Sequence, residues 1–479
     1  MRESDASLVE SFEAAGLWWL PASAGARVHG RLTFDPHNGV AVELDGRLGN
    51  SGTGRHESWP VVLGETRNGV ACSLIMVAEA STSVGPNMQT SQIRAEYCLM
   101  GVHFATLGEV RAVSCVANYS NLTSWLGRRP FDRSFVSSSA VARNYSVKFE
   151  FPSDIRFSLR DRGFGLTLGP WFSCGGATFH EVDMRYGESA VIRPKAKKPL
   201  RWFLERLFEL QRLLALLMAE PVKLEKVRVQ YGSHLDRARS KIVHDYASLL
   251  FRQPYDDSPI RALATFQMPF HFGAVREVFP KVLQNWFARY EELKSVLDLF
   301  FLPLYNRLLN IEFQFLGLLQ ALEALHRLSI GGRYMSITEY AAVRSRLVSS
   351  IPHTVSADHK AALTSRIRYG YEYSLRKRLA QMMGLLSTET LRRITNGEAP
   401  AKFTAKIVDT RNYLTHHDDE LREKPLDSAG MLVACQSLRL LLMLLIFREV
   451  QIPEETSLAR LGDTDLLHFP QFADREGLP

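Results

Sequence analysis

The sequence predicts an α+β chain of several domains: a β-rich N-terminal domain, a mixed connecting region and a C-terminal all-helical bundle. Three observations predict it. At 479 residues the chain is too long for a single core. Its first part is punctuated by glycines and short apolar runs, whereas from about residue 278 the apolar spacing is that of helices. Between them the composition shifts at Pro194-Lys195-Ala196-Lys197-Lys198-Pro199, a basic segment bounded by prolines.

In the first part, Val147-Lys148-Phe149-Glu150-Phe151 alternates apolar with charged side chains, which half-buries a strand. Arg67-Asn68-Gly69 separates two apolar runs, and Asn-Gly tolerates the positive φ of a tight hairpin. Breaks at Gly30, Gly39, Gly46, Gly49 and Gly101, then at Gly163, Gly165, Gly175 and Gly176, imply many short strands in a sandwich-like or barrel-like sheet. This domain is expected over residues 1–194. A linker and mixed region should fill 195–303: a helix over 202–218 with Phe203, Leu207, Leu210, Leu214 and Leu217 on one stripe, then strands near 227–231 and 242–251. Helices follow at about 278–300, 310–329, 337–349, 360–386, 403–418 and 431–450. The helical domain is expected over 304–455, with a tail at 456–479.

Composition narrows the class. Hydrophobic content of 46% and charged content of 23% are those of an ordinary globular protein. Five cysteines without a C-x-x-C pair argue against a zinc ribbon or a disulfide framework and fit a reducing cytoplasm. The acidic start has no apolar h-region, so no signal peptide is expected. The run 440–447 lies between Arg439 and Arg448, too short to span a bilayer, and reads as a buried helix. A net charge of +7 permits a polyanionic partner without requiring one.

The chemistry concentrates in Arg411-Asn412-Tyr413-Leu414-Thr415-His416, an R-N-x-x-x-H hexapeptide. Arg and His at such spacing also occur at Arg31/His37, Arg228/His234, Arg239/His244 and Arg346/His353. Requiring Asn after Arg leaves only Arg411. Arginine grips phosphate as a fork, and histidine can take or give a proton near neutrality. Phe403, Ile407 and Leu414 form an apolar stripe that also carries Arg411, which must therefore meet an acid or end at a cleft. Asn412 and His416 are four apart, so Asn412 is placed to orient the imidazole or to support the arginine. The bland alternative is a structural ion pair and a solvated histidine, His417 being another helix-end residue.

Other residues compete for attention. Glu323, among apolar neighbours, is either the acid for Arg411 or the polar edge of its helix. Arg366, Arg368, Arg376, Lys377 and Arg378, interleaved with Tyr369, Tyr371 and Tyr373, form a candidate RNA grip by charge and stacking, or a solvated face. Trp18 and Trp19 either mark a recognition surface or pack inside. His353, His359, His416 and His417 lack matched thiols and are read as non-ligands, so no metal and no cofactor is expected.

The R-N-x-x-x-H segment in a C-terminal helical bundle resembles the HEPN superfamily, whose ribonuclease members carry this motif. The run Phe313-Gln314-Phe315-Leu316-Gly317-Leu318-Leu319-Gln320-Ala321-Leu322-Glu323-Ala324-Leu325-His326-Arg327 resembles the first helix of ApeA-type HEPN domains. Gly16-Leu17-Trp18-Trp19-Leu20-Pro21, Val28-His29-Gly30-Arg31-Leu32-Thr33-Phe34 and Leu122-Thr123-Ser124-Trp125-Leu126 are similar to the domain that accompanies them. The resemblance implies an ApeA-like anti-phage protein with Arg411, Asn412 and His416 catalytic at a composite site in a homodimer. It implies a metal-independent endoribonuclease of the abortive-infection type, with tRNA one candidate substrate, acting in the cytoplasm. The N-terminal domain would then sense a phage-derived trigger. The alternative is a catalytically inactive HEPN module that binds RNA or a protein.

Overall fold

The computed structural model describes residues 6–49, 57–84, 89–138, 141–175, 182–236, 240–254, 260–306, 308–416 and 425–461. They form two compact units, Met1–Pro280 and Lys281–Pro479.

The first unit is built on antiparallel strands β1 (Phe12–Trp19), β2 (Val28–Asp35), β3 (Gly39–Leu44), β4 (Ser58–Thr66), β5 (Ala71–Val84) and β6 (Gln89–Met100). Their pairings run β1–β2–β3–β6–β5–β4 and return to β1, so the sheet closes into a six-stranded barrel. Of the two expected sheet forms, closure is the one realised here. The expected Asn68-Gly69 hairpin joins β4 to β5, with Gly69 at φ +77°.

One face of these strands carries Leu32, Val42 and Ile93 in register, all buried. Trp18 is fully buried on the same face, and two glycines make its room. A Cβ on Gly64, its partner across β4, would lie 2.2 Å from the indole; one on Gly30 would lie 3.1 Å away. Trp18 and Trp19 are therefore packing residues, at 0% and 4% exposure, rather than a recognition surface.

Further strands follow: β7 (Arg111–Ala112), β8 (Ser114–Tyr119), β9 (Phe131–Ser138), β10 (Val141–Phe149), β11 (Ile155–Leu159), β12 (Phe164–Gly175), β13 (Asp183–Pro194), β14 (Lys198–Pro199), β15 (Leu224–Asp236) and β16 (Lys241–Phe251); all but the separate pairs β7–β14 and β9–β10 extend the sheet. One edge of β6 is shared. Its first half, Ser91 to Ala95, pairs with β3, and its second half, Tyr97 to Met100, pairs with β16. From β16 an open arm continues β16–β15–β8–β13–β12–β11. β9 and β10 form a separate hairpin.

Among the described residues this unit also holds the helices α1 (Leu122–Leu126), α2 (Leu200–Met218) and α3 (Phe272–Val275). The indole N–H of Trp125 in α1 donates to the Phe270 carbonyl at 2.8 Å, pinning the segment that leads into α3. The α2 stripe is buried as its spacing predicts, Phe203, Leu207 and Leu217 completely.

The basic segment before α2 is not a domain boundary. Lys198-Pro199 pairs with β7, the Lys195 amide bonds to the Gly163 carbonyl at 3.1 Å, and Arg111 donates to the Lys197 carbonyl at 2.9 Å. Hydrogen bonds along the segment strap it to the sheet, and β15 and β16 lie inside that sheet. The expected division at residue 194 thus moves to 280.

The second unit contains most of α4 (Phe279–Tyr305), then α5 (Ile311–Ser329), α6 (Ile337–Ser349), α7 (Ala357–Ile367), α8 (Leu375–Met383), α9 (Thr388–Ile394), α10 (Pro400–His416), α11 (Ser428–Glu449) and α12 (Glu454–Leu461). Asn285 and Arg289 of α4 bond to Val450 and Glu449, so the helical unit starts earlier than residue 304. Side-chain caps set many helix starts: Asn310, Ser336, Ser356, Ser374, Ser387 and Asp427 each accept a backbone N–H. Such a cap is why the single helix expected over 360–386 is two. Ser374 starts α8 afresh, and at Gly370 a Cβ would lie 2.3 Å from the Tyr340 hydroxyl.

α5 and α11 run parallel. Cys435 meets the Ile311 carbonyl at 3.8 Å near their starts, and Ser329 donates to Glu449 at 2.6 Å near their ends. α11 has the length and hydropathy of a membrane span, yet 78% of its most apolar window is buried within the protein. The expected tail begins with α12, and residues 462–479 lie outside the described ones.

Gly64→Ala should overpack the barrel around Trp18, costing about 1–3 kcal/mol. Thermal unfolding monitored by indole fluorescence would register this as a lower Tm. An unchanged Tm would mean that the indole has room to shift.

Candidate functional site

Proline and helix-forming residues open α10, and its buried side is Phe403, Thr404, Ile407 and Val408. That stripe fades at Arg411. Arg411, Asn412 and Leu414 are half-buried, and Thr415 and His416 are exposed. The last turn therefore leaves the bundle and reaches solvent. His417 and the acidic run 418–420, expected to end the helix, lie outside the described residues.

Within the motif, Arg411 Nη1 donates to Asn412 Oδ1 at 3.3 Å, and the Thr415 hydroxyl donates to the Arg411 carbonyl at 2.7 Å. Of the two roles open to Asn412, the geometry gives support of the arginine. Among the described residues, no carboxylate lies within ion-pair distance of Arg411. A guanidinium at the edge of a bundle without a fixed counter-charge is open to an external anion. The neighbouring helix α8 holds this one: Arg376 meets Asp409 at 3.6 Å, and the Thr404 hydroxyl donates to Met383 Sδ at 3.6 Å.

Thr410, fully buried, receives the Leu426 amide at 3.1 Å and ties the start of α11 to the residue beside Arg411. A lone buried threonine leaves no pattern in a sequence, and sequence reasoning missed it.

Glu323 is half-buried on α5, and its charge acts on His326 and Arg378; it makes no ion pair with Arg411 among the described residues. The basic-aromatic stretch does not form one face. Arg366 and Arg368 are exposed, with Arg368 over Tyr369 at 5.6 Å. Arg376 is held by Asp409, and Lys377 lies over Tyr334 at 5.1 Å and Tyr373 at 4.8 Å.

Arg378 corrects the expectation of an RNA-gripping surface residue, being 1% exposed. The α8 register turns it inward, where Nε donates to the Tyr373 carbonyl at 3.0 Å and Nη1 to His326 Nδ1 at 3.1 Å. Because Nδ1 accepts, the His326 proton sits on Nε2 and is donated to Gln381 at 2.9 Å. Burial holds the His326 imidazole below its usual pKa, against the Gln381 hydrogen bond and with help from the Arg378 charge.

A closed barrel with an open arm, followed by a helical unit presenting Arg, Asn and His at one helix end, defines a two-part protein. The ApeA N-terminal domain 1 family matches residues 13–286, and the Apea-like HEPN family matches residues 316–456. The first match covers more than half of the chain, and the chain belongs to the ApeA-like proteins. This pair of domains is that of an anti-phage HEPN nuclease family, and HEPN domains are typically ribonucleases. No curated protein and no solved structure matches the chain significantly.

The His326 arrangement has a pH consequence. The unfolded imidazole protonates near pH 6.5, whereas the folded one resists until lower pH. Its contribution to stability is complete above about pH 6.5 and is lost as the pH falls below that. The Tm of the chain should drop between pH 7.5 and 5.5, and His326→Gln should flatten that slope. An equally steep slope in the variant would assign the pH dependence elsewhere.

Proposed function

We propose that the chain is a metal-independent endoribonuclease of an abortive-infection anti-phage system, with Arg411 and His416 as the reacting groups. The observation that carries this reading is the open end of α10, where Arg411 has no described acidic partner and His416 faces solvent. Transphosphorylation needs a base for the 2′-hydroxyl, an acid for the departing 5′-oxygen, and positive charge on the phosphate. The 2′-oxygen attacks phosphorus as its proton leaves, the P–O5′ bond breaks, and the 5′-oxygen takes a proton. Arg411, supported by Asn412, stabilises the charge that develops on the non-bridging oxygens.

One chain offers a single R-N-x-x-x-H histidine for two proton transfers. A two-fold homodimer joining the open ends of α10 would supply two histidines and two arginines around one cleft. Exposed apolar side chains support such a contact. Phe313 is 66% exposed on the first turn of α5, and Val433 is 44% exposed on α11. The Thr410–Leu426 and Ile311–Cys435 contacts bring both helix starts towards the end of the bundle where α10 finishes. The N-terminal unit is proposed to receive the phage-derived signal and restrain cleavage until then, in the cytoplasm, with tRNA a candidate substrate.

His416→Ala should lower RNA cleavage about 100-fold or more while preserving the fold. Wild-type products should end in 2′,3′-cyclic phosphate or 3′-phosphate, form in EDTA, and not arise from 2′-deoxy substrates. Cleavage retained by His416→Ala would remove that residue from the chemistry, and absence of any cleavage by wild type would favour a catalytically inactive HEPN module. Phe313→Glu tests the composite site separately. Sedimentation should find a folded monomer that no longer cuts RNA, and an active monomer would refute the need for two chains.

A further inference from the structure

A cavity of about 580 Å³ opens in the helical unit at the end of α5, and none of Arg411, Asn412 and His416 lines it. After α5 the chain turns through Gly331 and Gly332, at φ +94° and +81°. The next residues pair with the stretch before α8: the Tyr334 amide bonds to the Tyr371 carbonyl at 2.8 Å, and the Tyr373 amide to the Gly332 carbonyl at 3.0 Å. Gly332 is required by closeness as well as by backbone angle, since a Cβ there would lie 2.5 Å from Arg378 Nη1.

The charged groups lining the cavity are Arg327, Arg333, Arg378 and Glu372. Glu372 meets Arg327 at 2.7 Å and Arg378 at 3.4 Å. Three guanidiniums against one carboxylate leave two positive charges among the lining groups. Arg378 cannot move to solvent, because its contacts to Tyr373, His326 and Gly332 fix it in the wall. Arg327, paired with Glu372, and Arg333, over the Tyr371 ring at 5.7 Å, are by contrast exposed, with side chains long enough to turn towards a ligand. A fixed, desolvated guanidinium beside two adjustable ones is suited to an oxyanion that accepts several forked hydrogen bonds.

We propose that this cavity binds a phosphate monoester, with Arg327 and Arg333 gripping its oxygens and Arg378 as the fixed charge behind them. A phosphate monoester dianion matches the residual charge, which a carboxylate or an internal phosphodiester only halves. The volume exceeds that of bare phosphate and accommodates the attached alcohol at the size of a nucleoside. A free nucleotide and the 5′-phosphorylated end of an RNA share this chemistry.

The test is calorimetric titration of the full-length His416→Ala chain, which keeps RNA ligands intact, with AMP, adenosine, and short RNAs bearing a 5′-phosphate or a 5′-hydroxyl. AMP should bind with at least about tenfold preference over adenosine, and Arg327→Ala and Arg333→Ala should each weaken it about tenfold or more. Circular dichroism should show both variants folded, as expected for exposed side chains. If 5′-phosphorylated RNA displaces AMP and the 5′-hydroxyl form does not, the site takes RNA ends; if neither RNA competes, it takes free nucleotides. Equal binding of AMP and adenosine, no AMP binding at millimolar concentration, or unchanged AMP affinity in both variants would each overturn the proposal. None of these readings depends on whether the chain cleaves RNA.

Discussion

The helical unit depends on the inward-facing guanidinium of Arg378. From one buried position it reaches α5 through His326, the glycine turn through Gly332, and the stretch ahead of α8 through Tyr373. A buried cation is costly unless its donors are satisfied, so these partners must stay in place together. Their cooperation fixes α8, and α8 in turn supports α10 through Asp409 and Thr404. The R-N-x-x-x-H end is thus held from behind by a polar cluster that takes no part in the proposed cleavage.

That arrangement reconciles order with openness at the motif. The α10 helix is anchored over its first three turns and released over its last. The same register that buries Phe403 and Ile407 carries Arg411 to the rim. Among the described residues Arg411 leans on Asn412 and on no carboxylate, and a carboxylate there would neutralise the charge that the proposed cleavage needs.

Much of this was legible in the sequence where the signal is local. The Asn68-Gly69 turn, the α2 stripe and the spans of α5, α6, α10 and α11 follow from turn chemistry and 3.6-residue spacing. Barrel closure was not legible, because pairing β4 with β1 and β5 with β6 is a matter of register between distant segments. Nor was the inward turn of Arg378, which reads as one more cation in a basic run until Ser374 resets the helix. The motif residues were found because Arg, Asn and His form a pattern. Thr410, which ties the start of α11 to that helix, belongs to none.

The divided edge of β6 bears on how this chain can vary. Tyr97 to Met100 donate and accept hydrogen bonds with β16, while Ser91 to Ala95 do so with β3. Excising the arm would strip partners from half a strand that is also a barrel stave, exposing an unpaired rim ready to template aggregation. The arm is consequently no interchangeable cassette. Tolerated variation is confined to hairpin tips and surface side chains, because the barrel and its extension stand or fall as one hydrogen-bonded fabric.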